Sequence, residues 1–424
     1  AYDALGRPTE KKDYFNTPAP GLTHSYSYND RSELAADAMS RGGTYSYAYD
    51  NIGNRVTSRE GSGASAEAYT ANNLNQYTAI TREEGASFAP AYDADGNQTK
   101  IQTSTGEWEV FYNALNQAAR FIQGNRRVEC RYDYLNRRIE KAVYEGEILM
   151  SKKRFIYHGY LQIAELDAAA ATESAMPVLR KTYLWDPLEP AATRILAMSL
   201  FYETGTWAEN LYYTHDLLKN TTALFGIRAD RRALYEYGPY GNIVRMEGNA
   251  AEDNPFRFSS EYADDELGLV YYNYRYYNPQ NGRWISRDPM MERLQENLYG
   301  YVGNSATIFI DFLGQIDSVT LYAAKSLAAG MTEAEVLANL AAIGYVGACA
   351  RKILQNAVEY NNGHGKGERK TTSKPDGTGN PYKHTRPDPK DSRRILRKNP
   401  HTGKEQSEPK PEGYDDWWKK KHNR

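Results

Sequence analysis

The chain has 424 residues, 36 of them tyrosine, with a formal net charge of −2 and two cysteines. This length predicts two to four domains, and the cysteines, Cys130 and Cys349, suggest neither a disulfide framework nor a metal site. No apolar run reaches the roughly 20 residues that a bilayer requires, so we expect no membrane span. The sequence opens inside a repeat without signal-peptide features, so we interpret it as the C-terminal part of a longer protein.

A Tyr-Asp turn recurs along the first part of the chain at a nearly constant interval. The tyrosines of these copies, with weaker ones at 28 and 69, stand at positions 2, 28, 49, 69, 92, 112 and 132. The intervals between them are 26, 21, 20, 23, 20 and 20 residues. A period near 20 residues indicates an array of one supersecondary unit.

Each repeat has the pattern of a strand, a turn and a second strand. Tyr45, Tyr47 and Tyr49 alternate with small or polar residues, as in a half-buried strand. The Asp or Asn that follows can bond the backbone two residues on, and the later Gly or Asn tolerates a left-handed conformation. One hairpin cannot bury its tyrosine face alone, but stacked neighbours can. We therefore predict a mainly β, repeat-built sheet over residues 1–245; an ordinary β-sandwich is the alternative, which the constant interval disfavours.

The later copies of the repeat are less regular. They are centred on Tyr157, Trp185 and Tyr237, and the stretch before the last one contains a His215-Asp216 pair. This pair lies inside a strand-turn repeat and has no nucleophile partner in the sequence. We therefore interpret it as a structural turn and not as a catalytic pair.

Residues 246–315 depart from the repeat and contain an ordered motif series. It comprises Tyr-Arg-Tyr-Tyr at 274–277, Gly-Arg-Trp at 282–284, Arg-Asp-Pro at 287–289, Asn-Leu-Tyr at 297–299, and Asp-Phe-Leu-Gly at 311–314. With the preceding repeats, the series resembles the Rhs (YD-repeat) family and its Rhs-associated core over residues 1–315. That family includes the cocoon component of insecticidal toxin complexes and bacterial polymorphic toxins. The resemblance implies a spiral β-sheet shell, plugged by the core, that holds a variable toxin.

The resemblance also implies that the core is a self-cleaving aspartyl protease. The family's arginine and two aspartates correspond to Arg275, Asp288 and Asp311, and its cleavage point corresponds to the bond between Gln315 and Ile316. Paired carboxylates can divide the roles of acid and base, and an arginine can stabilise an oxyanion. The alternative is that these aspartates are ordinary turn formers.

The sequence departs from the family pattern around the expected cleavage point. Phe312 stands in place of the usual proline, Gln315 in place of leucine, and residues 304–306 are Asn-Ser-Ala instead of Asn-Asn-Pro. The three proposed catalytic residues remain, and the changed residues around the cleavage point bear on the efficiency of cleavage.

Residues 316–424 differ in charge from the rest of the chain. They hold 20 Lys+Arg and 13 Asp+Glu, a balance of +7, whereas residues 1–315 hold 32 and 41, a balance of −9. We predict helix over 317–360, with Gly330 ending one helix and a capping box at 332–335 starting the next. The apolar stripe of that second helix favours a small core, and a membrane-inserting face over 336–350 is the alternative.

The basic segment 361–424 has the composition of a small nuclease. His384 and His401 are candidates for acid-base cleavage of a phosphodiester, and Arg394 and Lys404 for stabilising its transition state. Candidates for nucleic-acid binding are Arg386, Arg393, Trp417 and Trp418. An RNase is favoured because the RNA 2′-hydroxyl can act as nucleophile, so we expect no metal or cofactor. A zinc deaminase is disfavoured because its motif is absent, and a solvated basic tail is the alternative.

These features together predict a polymorphic toxin with a shell, a self-processing core and a nuclease cargo. The expected partners are a cognate immunity protein, RNA as the target, and a secretion or delivery machinery. The expected location is secreted or cell-surface delivered, with the toxin acting in the cytoplasm of a competing cell. Two alternatives remain: a surface adhesion or structural YD-repeat protein with an inert tail, and a membrane-active passenger.

Overall fold

The computed structural model of the chain describes twelve segments: residues 1–14, 21–83, 85–169, 176–187, 194–289, 297–317, 331–342, 354, 357–358, 385–387, 394–398 and 405–409. Its residues divide into two compact units, Ala1–Glu359 and Tyr360–Arg424. The described residues are mainly β, which confirms the predicted fold class.

The first unit contains a long antiparallel meander in two sheets, with strands β1–β7 in sequential order in one sheet and β8–β21 in the other. The strands of the first sheet are Glu10–Asp13, Leu22–Tyr28, Leu34–Met39, Gly43–Tyr49, Arg55–Glu60, Glu67–Ala71 and Tyr77–Arg82. Those of the second are Ala91–Tyr92, Gln98–Thr103, Gly106–Tyr112, Ala118–Gln123, Arg126–Tyr132, Arg138–Glu145, Ile148–His158, Leu161–Asp167, Val178–Trp185, Ile195–Phe201, Trp207–His215, Thr221–Phe225, Arg231–Tyr237 and Ile243–Glu247.

The repeat turns have the hydrogen bonds that the sequence predicts. The Asp50 carboxylate accepts the backbone N–H groups of Ile52 and Asn54 at 2.9 and 2.8 Å, and Asp133 does the same for Leu135 and Arg137. The residue three after the Asp or Asn has a positive φ, 85° at Gly53 in the first of these turns. These turns join the even-numbered strands to the strands that follow, so they share one rim of the sheet.

In five of the repeats the tyrosine ties its turn to the one before it. Its hydroxyl donates to the carbonyl of the residue that begins the strand after the previous turn. The pairs are Tyr49–Leu34, Tyr112–Gln98, Tyr132–Ala118, Tyr157–Arg138 and Tyr237–Thr221, at 2.7 to 2.9 Å. Trp185 makes a related contact through its indole N–H, which donates at 2.7 Å to the carbonyl of Gln162, the second residue of its strand. The repeated residue is therefore a hydrogen-bond donor as well as a large, partly buried ring that packs against the core.

A β-bulge accompanies the repeat tyrosines and curves the sheet. The register shifts immediately before Tyr112 and Tyr132, for example, and before His215 in a later repeat. Bulges increase local twist and bend a strand. In the repeat at position 69 the shift falls before Ala71. The equivalent of the repeat tyrosine is therefore Ala71, so the prediction of Tyr69 for this position was wrong by two residues. Residues two positions apart lie on the same face of a strand, which is why the tyrosine at 69 could be mistaken for the repeat residue.

The curvature brings the beginning and the end of the meander into contact. Arg41, which follows β3, donates to the Glu236 carboxylate in β20 at 2.6 Å. The hydroxyls of Tyr49 and Tyr240 lie 2.7 Å apart. The sheets therefore wrap around an interior that the following segment fills.

The segment after β21 forms a small sheet inside this wrap, with strands β22–β25 at Tyr262–Asp264, Leu269–Tyr272, Arg275–Asn278 and Arg283–Trp284. Its centre is aromatic, and the rings of Tyr277 and Tyr301 are 4.2 Å apart at their centroids. Phe256 packs edge-on against Tyr183 and Trp185 of the surrounding sheet. The interior of the first unit is thus a continuous aromatic core shared by the wrap and the segment.

Side chains of the enclosed segment bind the carbonyls at the positive-φ residues of the repeat turns. The pairs are Ser305–Ser32, Asn304–Gly53, Arg283–Asn75, Tyr299–Gly96, Tyr271–Asn136 and Ser260–Lys219, at 2.7 to 3.2 Å. The left-handed residue of each turn therefore directs a carbonyl inward, and the ring of carbonyls fixes the position of the enclosed segment.

A buried ion cluster provides a second attachment. Asp264 of β22 contacts the guanidinium of Arg138 and the ammonium of Lys141, both in β13. The rings of Tyr271 and Tyr276 face Arg138 as well. Because removing one partner of a buried ion pair is strongly destabilising, this cluster couples the folding of the enclosed segment to that of the sheet.

The remaining described elements are few. Strands β26 and β27, Asp311–Phe312 and Ile316–Asp317, form a hairpin, and helix α1 spans Glu333–Ala342. The predicted capping box is present, since Thr332 and Glu335 bond each other's backbone N–H. In the second unit, strands β28–β30 at Thr385–Pro387, Arg394–Lys398 and Glu405–Pro409 form an antiparallel sheet. No helix among the described residues is long and apolar enough to cross a membrane.

Candidate functional site

Arg275 is the centre of a buried polar site in the enclosed segment. It begins strand β24, and its guanidinium lies over the Trp284 ring of the neighbouring strand, 4.1 Å from the ring centroid. Its Nε donates to the carbonyl of Gly314, and its Nη1 donates to that of Leu298 at 3.5 Å. The aromatic ring and the two carbonyls therefore fix the plane of the guanidinium.

The two aspartates that the family resemblance singles out meet at this guanidinium. Arg275 Nη2 lies 2.9 Å from Asp288 Oδ2 and 3.3 Å from Asp311 Oδ2. The side chains of Arg275, Asp288 and Asp311 are 1, 2 and 5% exposed. The backbone N–H of Asp288 donates at 3.0 Å to the Leu298 carbonyl, which also accepts the hydrogen bond from Arg275. Residues separated by up to 36 positions therefore form one compact triad.

The hairpin of β26 and β27 presents the expected cleavage point to this triad. Asp311 starts the hairpin, and its Oδ1 accepts the backbone N–H of Gln315 at 2.8 Å. Leu313 and Gly314 turn the chain with φ values of 61° and 76°. A Cβ at Gly314 would lie 2.9 Å from the Tyr272 carbonyl, so both the backbone angle and the close approach require glycine.

This arrangement has the components of peptide hydrolysis. Two carboxylates near one peptide group can act as base and acid, and a fixed guanidinium can balance their charge and bind an oxyanion. Asp311 touches the residue that carries the expected scissile carbonyl, and Arg275 touches the residue before it. The described residues contain no group of three or more His, Cys, Asp or Glu side chains that could hold a metal ion.

The predicted nuclease residues lie largely outside the described residues. This holds for His384, His401, Lys404, Arg393, Trp417 and Trp418. Arg386 and Arg394 are in β28 and β29, which pair antiparallel with Arg386 opposite Leu396. The backbone thus places these two arginines on adjacent strands, and the site itself stays a prediction. The alternative membrane-inserting segment was 336–350, and its residues 343–350 also lie outside the described part of the chain.

Sequence reasoning did not assign a role to Trp284 or to the Leu298 carbonyl, which orient Arg275. Trp284 belongs to the Gly-Arg-Trp motif at 282–284, and this membership could have indicated a role at the site. The Leu298 contact is made by a backbone atom, and its side-chain identity carries no information about it.

Comparison with known proteins found relatives in several organisms, and no family model matches the chain. Salivary gland surface protein 1 of Aedes aegypti is 41% identical over 119 residues, 28% of this chain and 3% of that protein. A tRNA3(Ser)-specific nuclease WapA of Bacillus spizizenii is 30% identical over 105 residues, 24% of this chain and 4% of that protein.

The match to toxin protein Tse5 of Pseudomonas aeruginosa is longer. It is 28% identical over 202 residues, 44% of this chain and 15% of that protein. This chain thus spans only a small part of the length of the curated relatives described here. Its sequence is thus similar to part of a bacterial tRNA nuclease and to part of a bacterial toxin protein.

Proposed function

We propose that the chain is part of a Rhs polymorphic toxin that cuts itself between Gln315 and Ile316 and so releases residues 316–424. The observation that carries this proposal is the contact of one buried guanidinium with both carboxylates, beside a hairpin that contains this bond. Asp311 bonds the backbone of its own turn, as the turn aspartate Asp50 does. A structural turn does not, however, require that a second aspartate share a buried guanidinium with it, as Asp288 does.

The proposed reaction is hydrolysis of the peptide bond. One carboxylate, Asp311 or Asp288, takes a proton from a water molecule, whose oxygen attacks the Gln315 carbonyl carbon. Arg275 stabilises the resulting oxyanion. As the C–N bond breaks, the proton passes to the Ile316 nitrogen, which leaves a carboxyl group on Gln315 and an amine on Ile316.

The test is the extent of cleavage in purified variants. Asp288→Asn and Asp311→Asn keep the side-chain shape but cannot act as base, so each should leave the chain intact. Asp253→Asn, an exposed change in the same segment, is the control and should cleave like the parent. Circular dichroism verifies that the uncut variants are folded. Full cleavage in both site variants would refute the carboxylate mechanism.

We further propose that the released segment is a nuclease, with RNA as its favoured substrate. The +7 balance of residues 316–424 supports nucleic-acid binding, and one relative is named as a tRNA nuclease. The expected partners are a cognate immunity protein and a delivery machinery, with action in the cytoplasm of the target cell.

Expression of the full chain in bacterial cells, with growth and RNA integrity as readouts, tests the nuclease. His384→Ala and His401→Ala should each lower the rate of RNA degradation by roughly 10²–10⁴-fold if they are the acid-base pair. His422→Ala in the same segment is the control. Unchanged RNA degradation in the double variant would remove these histidines from the mechanism. A requirement for a divalent metal would shift attention to Asp388, Asp391 and the pair at 415–416.

A surface adhesion or structural role is the second candidate, because the similarity to a salivary gland surface protein reaches 41% identity. An inert tail predicts normal growth and intact RNA when the full chain is expressed. The same expression experiment therefore separates the two candidates.

A further inference from the structure

The Leu298 carbonyl is a shared hydrogen-bond acceptor at the candidate cleavage site. Arg275 Nη1 donates to it at 3.5 Å, and the backbone N–H of Asp288 donates to it at 3.0 Å. The Nη2 atom of the same guanidinium lies 2.9 Å from Asp288 Oδ2 and 3.3 Å from Asp311 Oδ2. A displacement of this one carbonyl would therefore change the relative positions of the arginine and both carboxylates.

The residues on either side of Leu298 are bonded to two turns of the surrounding sheets. Asn297 Nδ2 donates to Asn54 Oδ1 at 3.0 Å, and the Tyr299 hydroxyl donates to the Gly96 carbonyl at 2.7 Å. Asn297, Asn54 and Tyr299 are 7, 3 and 2% exposed, so these bonds lie in the interior, where hydrogen bonds are stronger than in water. The loop that carries the shared carbonyl is thus held on both sides by the sheets.

The Asn297 amide is also held through its oxygen atom. Arg283 Nη2 lies 3.0 Å from Asn297 Oδ1, 3.2 Å from Asn54 Oδ1 and 2.7 Å from the Asn75 carbonyl oxygen. The guanidinium of Arg283 also faces the Tyr77 ring, at 4.0 Å from the ring centroid. These partners all belong to the first sheet and its turns, so the orientation of Asn297 depends on that sheet being in place.

We propose that Asn297 is a positioning residue of the cleavage site, which acts through the Leu298 carbonyl, and that self-cleavage therefore depends on the closure of the first sheet around the enclosed segment. In a chain whose first sheet is displaced, Asn297 loses its bond to Asn54. The Leu298 carbonyl is then free to move, and Arg275 and Asp288 lose their common partner. This proposal rests on the proposed self-cleavage, and it implies that residues 316–424 are released only after the shell has folded.

Asn54 and Asn97 provide a matched pair of variants in two repeats. Both are buried, at 3 and 2% exposure, and each stands four residues after the aspartate of its turn. In both repeats the side-chain amide donates to that aspartate and to the asparagine in the next turn, at 2.8 to 3.0 Å. Of these two residues, only Asn54 also accepts hydrogen bonds from described residues of the enclosed segment. The two alanine variants should therefore lose similar stability, while only Asn54→Ala loses the contact with Asn297.

The rate of self-cleavage in the full chain tests the role of this loop. The chain is made by cell-free translation with a short labelling pulse, and the fragment that begins at Ile316 is followed with time. Asn54→Ala should be cut roughly 10- to 100-fold more slowly than the parent, since a displacement of about 1 Å can cost about 10²-fold in rate. Asn97→Ala should be cut at the parental rate, and thermal unfolding verifies that both variants are folded. Equal rates in the two variants would overturn the proposal.

Asn297 itself is tested by a double-mutant cycle and by the pH dependence of cleavage. Asn297→Ala should be slowed about as much as Asn54→Ala, and the double variant should be no slower than the slower single variant, because both changes remove the same interaction. A carboxylate that acts as base must be ionised, and a well-placed guanidinium favours that form. The acidic side of the pH–rate profile should therefore move to higher pH in Asn297→Ala but not in Asn97→Ala. Additive effects or an unmoved profile would overturn the proposal.

Asp288→Asn separates this proposal from the proposed self-cleavage. If the parent is cut, Asp288→Asn stays intact and Asn54→Ala is cut at the parental rate, the role of Asn297 alone is refuted. If Asp288→Asn is cut like the parent, or if the parent is never cut, self-cleavage at this site is refuted together with the role of Asn297 in it.

Discussion

The hydrogen bonds between the repeat tyrosines and the preceding turns predict that each such tyrosine stabilises the fold through its hydroxyl group. Tyr157→Phe removes only the hydroxyl, which donates to the Arg138 carbonyl at 2.9 Å. A net hydrogen bond contributes about 1 kcal/mol, and an acceptor left without a partner adds to the loss, so we expect a loss of about 1–2 kcal/mol in the free energy of unfolding. For a domain of this size, each kcal/mol corresponds to a fall of about 2–4 °C in Tm.

The assay is thermal and urea unfolding followed by the near-ultraviolet circular dichroism of the tyrosines. Tyr134→Phe is the matched control, because Tyr134 lies in the adjacent repeat turn and is 87% exposed. Its stability should match that of the parent within about 0.5 kcal/mol. Equal stability of Tyr157→Phe and Tyr134→Phe would refute the hydrogen bond of the hydroxyl group as the reason for the repeated tyrosine.

Two further predictions concern the buried charges and rings. Asp264→Asn leaves the nearly inaccessible cations Arg138 and Lys141 without their shared carboxylate. It should lower the free energy of unfolding in urea by about 3–5 kcal/mol; a loss below 1 kcal/mol would contradict the coupling of sheet and enclosed segment. Burial raises the pKa of Tyr132 and Tyr277 well above the ordinary value of 10. The unfolded chain therefore releases protons that the folded chain retains, and stability should fall as the pH rises above 10. Tyrosinate absorbance should appear together with unfolding, and its gradual appearance in a folded chain would contradict this account.

The repeat chemistry was predictable from the sequence because it is local. An Asp that bonds the backbone two residues on, followed by a residue with positive φ, is determined within five positions, as at Asp50 and Gly53. The position of the bulge was harder to predict from the sequence. At positions 69 and 71 both side chains fit the buried face, and only the pairing register shows that Ala71 occupies the repeat position.

The site illustrates the limit of local information in the same way. The motif series singled out Arg275, Asp288 and Asp311. The structure places a carboxylate oxygen of each aspartate within 3.3 Å of the Arg275 Nη2 atom. The ion pair of Arg138 with Asp264 spans 126 positions and follows no sequence period. Such contacts depend on how the sheet wraps, which the repeat interval alone does not determine.

The most direct test of the central claim is to identify the bond that is cut and the source of the new oxygen. The full chain is produced in water enriched in heavy oxygen, and its fragments are examined by N-terminal sequencing and mass spectrometry. Hydrolysis by the proposed site predicts a fragment that begins at Ile316, and one heavy oxygen in the new carboxyl group of Gln315. Asp311→Asn should remain uncut and should therefore yield neither the fragment that begins at Ile316 nor the labelled carboxyl group. Cleavage at another bond, or a parent chain that stays intact while folded, would contradict the account.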